Sequence, residues 1–231
     1  MMKFIRFIIF DLIVFAIGFT FFLRMTKTVD VEWTTADYEN GIKKTKLDVE
    51  NINDLNLTDV LNDKLICYGG NQVQTVFSSK EMSAMLSTAN NELGPISNIK
   101  INLLDNNEVE ANFTLEKATV DFLKETAKTD PNVGKYVFLL DMMEDTPIYI
   151  KGKINSYGKY NIDASVEKIY LGNIHLGSDV VDKVQASLSP FITFIISKYN
   201  GLSIEQLYIE KDRLEFIGTL PAKIEKYIVE K

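Results

Sequence analysis

The chain is poor in the residues on which most catalytic and metal-binding chemistry rests. It has one histidine, His175, and one cysteine, Cys67. Zinc prefers nitrogen and sulfur ligands, so a zinc site here would have to be almost all carboxylate, and no metal site is expected. An internal disulfide is excluded, and no sequence around Cys67 or His175 marks a nucleophile and its base. The Gly-x-Ser-x-Gly elbow, the phosphate-binding Gly-Lys-Thr loop and Gly-x-Gly-x-x-Gly are all missing. The Asn- and Asp-rich stretch 47–65 has neither the spacing nor the turn glycine of a calcium loop. Asp141, Glu144 and Asp145, beside Pro147, read as a solvated loop. No catalytic residue and no cofactor are expected, and the chain reads as a non-enzyme.

Basic charge is also in deficit, with 25 Lys and Arg against 32 Asp and Glu. Setting aside Lys3, Arg6, Arg24 and Asp11, at the N-terminus, leaves 22 basic and 31 acidic residues, a net charge of −9 on the remainder. Such a surface repels nucleic acid and anionic headgroups alike. The 5 prolines and 12 glycines are scattered, so nothing marks a linker within residues 25–231. That length is enough for one sizeable core.

What the chain does have is an apolar run, FIIFDLIVFAIGFTFFL, over residues 7–23. Its length of about 17 residues is close to the ~20 that a helix needs to cross a bilayer. It ends in Phe21, Phe22, Leu23 and Arg24 rather than in a small-x-small cleavage site, so an uncleaved anchor is expected. Lys3, Arg6 and the N-terminal amine outweigh Arg24 and Lys27 slightly, which places the N-terminus in the cytoplasm and the rest outside. Asp11 lies about one turn inside the cytoplasmic boundary, where it can reach the headgroups. Asn/Lys/Ile-rich usage with a single cysteine points to a low-GC bacterium, where the sequons at Asn56 and Asn112 would be chance matches. The expected division is an anchor over 1–24, a juxtamembrane segment with short helices over 25–72, and an α+β extracytoplasmic domain over 73–231.

Along that chain, Val29 to Trp33 reads as extended, Thr35 as the cap of a short helix, and Leu47 to Leu65 as short helical turns. A strand from Val73 to Phe77 leads into Ser78, which with Glu81 makes a capping box for a helix carrying Met82, Met85, Leu86 and Ala89. Strict alternation then predicts hairpins. In the first, Ile99, Ile101 and Leu103 pair with Val109, Ala111, Phe113 and Leu115, leaving Asn112 on a wet face. In the second, Ile148, Ile150 and Ile154 pair with Ile162, Ala164 and Val166. The third runs 204–209 and 214–220. The order helix-then-hairpin recurs at 79–115 and 178–220, the pattern of a structural duplication. The longest helix starts after Gly177-Ser178 and carries Val180, Val181, Val184, Leu188, Phe191, Ile192, Ile195 and Tyr199 on one stripe. Phe194 and Ile196 widen that stripe beyond Pro190, which is expected to kink the helix or to start a new one with Ser189 as its cap.

Phe77-Ser78-Ser79-Lys80-Glu81-Met82 opening a helix, the hairpins, and Ile169-Tyr170-Leu171-Gly172-Asn173-Ile174 leading into the long helix resemble the YpmS-type membrane-anchored proteins of Gram-positive bacteria. More remotely the pattern resembles the tubular lipid-binding superfamily. That resemblance implies a curved antiparallel sheet of hairpins packed on the long helix around an apolar groove, and it implies no catalytic residues. With the widened stripe it makes Leu188, Phe191, Phe194 and Ile195 candidate groove residues for an acyl chain or a lipid-linked envelope precursor. The alternative is a scaffold that binds a protein of the cell-envelope or sporulation machinery. The bilayer itself is a partner through residues 7–23.

Overall fold

The computed structural model describes residues 27–50, 65–93, 96–117, 119–121, 124–125, 144, 146–156, 158, 162–198 and 200–226. Side chains at 49, 50, 65, 90–93, 187, 191, 194, 195 and 198 fall outside that set. The apolar run 7–23 lies outside it too, as do Gly94-Pro95 and the apolar stretch 133–143. Among the described residues, no helix is long and apolar enough to cross a membrane.

The chain is α+β with mainly antiparallel sheets. In order it forms α1 (Thr35–Thr45), β1 (Asp48–Glu50), β2 (Leu65–Tyr68), β3 (Asn71–Ser78), α2 (Ser79–Leu93), β4 (Ile96–Leu103) and β5 (Glu108–Leu115). It continues through β6 (Pro147–Ser156), β7 (Ile162–Leu171), β8 (Ile174–His175), α3 (Ser178–Lys198), β9 (Ser203–Glu210), β10 (Arg213–Leu220) and β11 (Lys223–Lys226). The strands divide among three sheets rather than one: β1-β11-β2, β3-β10-β9 and β4-β5-β6-β7-β8. Residues 48–50 and Leu65, expected in helical turns, belong to strands β1 and β2 on either side of β11, with β1 parallel to it. The duplication also fails. The first hairpin, β4–β5, joins β6 and the third, β9–β10, joins β3, while α2 packs on the strand after it and α3 on the strand before it.

Local chemistry sets the helix starts. Ser78 caps α2 as expected, its Oγ accepting from the Glu81 N–H at 3.2 Å while Glu81 Oε2 accepts from the Ser78 N–H at 3.0 Å. The cap of α1 falls one residue earlier than expected, at Thr34, whose N–H and hydroxyl both donate to Asp37 Oδ2 at 2.8 Å. Lys44 near the end of α1 then reaches Glu81 at 2.7 Å and the Val76 carbonyl at 2.8 Å, which fastens α1 to the β3–α2 corner.

The two helices of the core close the edges of the five-stranded sheet. A helix advances about 6 Å in four residues and a strand about 6.6 Å in two, so side chains spaced i, i+4 can follow alternate residues of a strand. Ser79, Ser83 and Ser87 of α2 do this along β4. Ser79 Oγ accepts from Leu103 N–H at 2.9 Å, Ser83 Oγ from Ile101 N–H at 2.8 Å, and Ser87 Oγ donates to the Ile99 carbonyl at 2.8 Å. Along β7, Gln185 accepts from Val166 N–H, and Ser189 Oγ from Ala164 N–H at 3.0 Å. Ser189 therefore serves the sheet edge and not a new helix start. α3 continues through Pro190, which is exposed like Ala186, so water can take the carbonyl left free by the missing N–H. Both sheet edges thereby lose the open hydrogen-bonding groups that invite another strand.

Two apolar clusters result. Val73, Phe77, Leu103, Ile162, Ile204, Ile209, Leu214 and Phe216 pack between the β3-β10-β9 sheet and one end of the five-stranded sheet, joined by Ile192 and Ile196 of α3. Leu115, Val120, Ile148, Val166, Ile169 and Leu171 form the second, joined by Val181, Val184 and Leu188. The register shift opposite Glu167 lets Val166, Ile169 and Leu171 all face inward. It requires Gly152, where a Cβ would stand 2.0 Å from the Ser165 carbonyl oxygen.

Candidate functional site

Of the four candidate groove residues, Leu188 is placed in full, and it packs on the second cluster. Phe191, Phe194 and Ile195 lie on the backbone of α3 with their side chains outside the described residues. Cys67 is buried in β2, with its thiol pushed up by burial, while His175 is exposed in β8 against the Tyr170 ring at 4.9 Å. The two sit on different sheets, so the structure does not bring them together as a dyad. Among the described residues no group of three or more His, Cys, Asp or Glu side chains could hold a metal.

The polar face of the five-stranded sheet is more organised than alternation implied. Asn112, expected on a wet face, is buried because the segment 27–31 crosses over it. Its Oδ1 accepts from Val29 N–H and its Nδ2 donates to the Lys27 carbonyl at 3.0 Å. Both amide atoms are thus bonded inside the fold, where the side chain is buried. Val29 and Val31 are buried against Tyr149, while Thr28, Asp30 and Glu32 between them are exposed. The Lys27 ammonium lies 5.0 Å from the centre of the Tyr149 ring, which meets Tyr170 edge-on at 5.8 Å.

Beyond this seat runs a cross-strand charge ladder. Lys151 lies 2.6 Å and Lys153 3.4 Å from Glu108, with Glu167 at 4.0 Å from both. The Lys151 hydrogen bond holds the Glu108 carboxyl below its usual value and raises Lys151 in return. Tyr149 donates to Glu110, and burial, followed by this bond, pushes its phenol well above the ordinary value. A raised acid favours the neutral form in the fold, so the stability it carries is present below about pH 10, where the unfolded phenol titrates, and falls above it by up to ~1.4 kcal/mol per pH unit. In an alkaline titration followed by tyrosinate absorbance, Tyr149 should ionise only as the domain unfolds. Tyr149→Phe should remove that step, and a step that persists in the variant would refute the assignment.

A cleft of about 300 Å³ opens beside the seat, lined by Thr28, Val29, Asn98, Lys100, Asn112, Phe113, Thr114 and Pro147. It lies where the β4–β5 ladder shifts register between Ser97 and Lys100 and Asn98 takes a positive φ of 53°. The sequence carries a trace of this. Ile96 falls out of step with Ile99, Ile101 and Leu103, which marks an extra residue in the strand. A smaller cleft at the β9–β10 turn is lined by Tyr208, Glu210, Lys211, Arg213 and Glu215. Neither cleft is lined by a residue of α3. No family model matches the chain, and no curated protein or solved structure matches it either.

Proposed function

We propose that the protein is a membrane-anchored, non-enzymatic module on the outer face of the cell membrane, which acts by holding an envelope protein against its surface. The observation that carries this reading is the buried seat of Val29 and Val31, six to eight residues beyond the apolar run 7–23. Chain that short and that firmly packed makes a mount, so whatever the domain binds is held at a set height and orientation over the bilayer. Packing also favours a surface role, because Val181, Val184, Leu188, Ile192 and Ile196 of α3 are all taken up by the two clusters.

An acyl-chain role in a tubular lipid-binding arrangement is the second reading. The apolar arc of Phe191, Phe194 and Ile195 favours it, since those residues add more hydrophobic surface than one-sided packing needs. The test uses the full chain in cells and then purified. It should stay in membranes after carbonate washing, be digested by protease added to intact protoplasts, and retain in native mass spectrometry no acyl chain whose binding depends on Phe194. A released chain beginning near residue 25 would overturn the anchor. A retained acyl chain that Phe194→Asp abolishes, with the fold intact, would replace the surface role by the groove.

A further inference from the structure

We infer that the cleft between the 27–31 segment and the β4–β5 bulge binds the phosphate of an anionic phospholipid in the outer leaflet. The inference rests on the anchor reading above and adds a ligand to it.

The first ground is an ammonium without a counter-ion. Of the part-buried lysines, Lys44, Lys151 and Lys223 each have a carboxylate within 3 Å and Lys153 has one at 3.4 Å. Lys100 is part-buried as well, yet has no ion pair among the described residues. Thr28, Asn98 and Thr114, which line the same cleft, likewise make no side-chain hydrogen bond there. One cation and three uncommitted polar side chains around one cleft are the donor set that a phosphate monoanion or diester accepts. Glu110, on the same face of β5, keeps its charge but makes no ion pair with Lys100, its two oxygens accepting from the Tyr149 hydroxyl and from Asn102 Nδ2 at 3.2 Å.

Position is the second ground. Thr28, on the lip of the cleft, comes five residue steps after Leu23, the end of the apolar run. Fully extended they span at most about 17 Å, and the headgroup layer itself takes up several of those ångströms. The tether therefore keeps the cleft, flanked in sequence by Arg24 and Lys27, within reach of the headgroups. The domain's negative charge opposes anionic lipid overall. Beyond about 8 Å, however, exposed charges are screened at physiological salt, so the local cations decide the contact.

The experiment places the full chain in nanodiscs of phosphatidylcholine alone or of an equal mixture with phosphatidylglycerol and follows amide hydrogen exchange. Exchange at 97–100 and 112–114 should slow about fivefold in the anionic discs, the factor that ~1 kcal/mol per lysine at an anionic surface represents. Lys100→Gln should remove the difference while the global exchange pattern stays the same. Equal exchange in the two lipids, or protection that persists in Lys100→Gln, would overturn the proposal. Inorganic phosphate giving the same protection in phosphatidylcholine discs would assign the cleft to a free anion and overturn the lipid source. Co-elution of protein with the discs is scored separately, so loss of the anchor shows as protein outside the disc peak.

Discussion

Gly201→Ala should cost the domain most of its stability, about 3–5 kcal/mol. Gly201 follows α3 with φ of 80°, a region that side chains adopt with difficulty. Conformation is the smaller part of the cost. An added Cβ would stand 1.8 Å from the Gly69 carbonyl oxygen and 3.3 Å from Pro221 Cα. Both neighbours are backbone at the bend where β2 passes into β3 and β10 into β11, so neither can swing aside without moving two sheets. Gly158 supplies the control. Its φ of 83° is nearly the same, but a Cβ there meets nothing within 4 Å. Gly158→Ala should therefore show the conformational cost alone, about 1 kcal/mol. Urea midpoints of the two variants separate the terms, and similar losses would show that the close approach at Gly201 relaxes.

Asn107→Ala is the second large effect, expected at about 3 kcal/mol. The residue sits in the β4–β5 turn with φ of 61° and ties the five-stranded sheet to β9. Its N–H donates to the Ile209 carbonyl at 3.1 Å, its carbonyl accepts from Ile154 N–H at 3.0 Å, and its Nδ2 donates to Asn155 Oδ1 at 2.9 Å. Its Oδ1 accepts from the N–H of Ile209, a residue only 1% exposed, at 2.7 Å. Alanine leaves that donor unpaired, at roughly 1–3 kcal/mol, and adds roughly 1 kcal/mol for the left-handed backbone. Asn107→Asp keeps the acceptor and tolerates the conformation, so it should lose less than half as much. Exchange of the Ile209 amide should rise sharply in the alanine variant and little in the aspartate one. Equal stability of the two variants would refute this account.

Both residues stand where the sequence was hard to read. The pairing partners within each hairpin were legible because alternation over eight to ten residues is a strong signal, and the Ser78–Glu81 box announced α2. Alternation reports which side of a strand is apolar and is silent on which other strand lies beside it. That is why one sheet was expected where three occur. Strands as short as 48–50 and 65–68 contain too few residues to show a period, so the two ends of the stretch Leu47 to Leu65 passed for helical turns. Small polar residues were misleading in the same way. Ser79, Ser83 and Ser87 look like the wet side of a helix, but their value lies in a strand edge that only the folded chain brings alongside. The cleft escaped notice because its residues come from three segments far apart in sequence, with the stray Ile96 as the one hint.

The place of β11 bears on how the protein is made. β1 and β2 do not pair with each other; each is hydrogen-bonded to β11, which is synthesised roughly 150 residues after β2. At ~5–20 residues per second, the two early strands wait on the order of ten seconds for their common partner. If the chain is threaded outward through the membrane as it is made, that delay passes in the company of extracytoplasmic proteases and chaperones. A polypeptide cut short before Lys223 would leave both early strands unpaired beside the membrane. Such a product announces its own incompleteness, so the order of the strands doubles as an inspection of whether translation has run far enough.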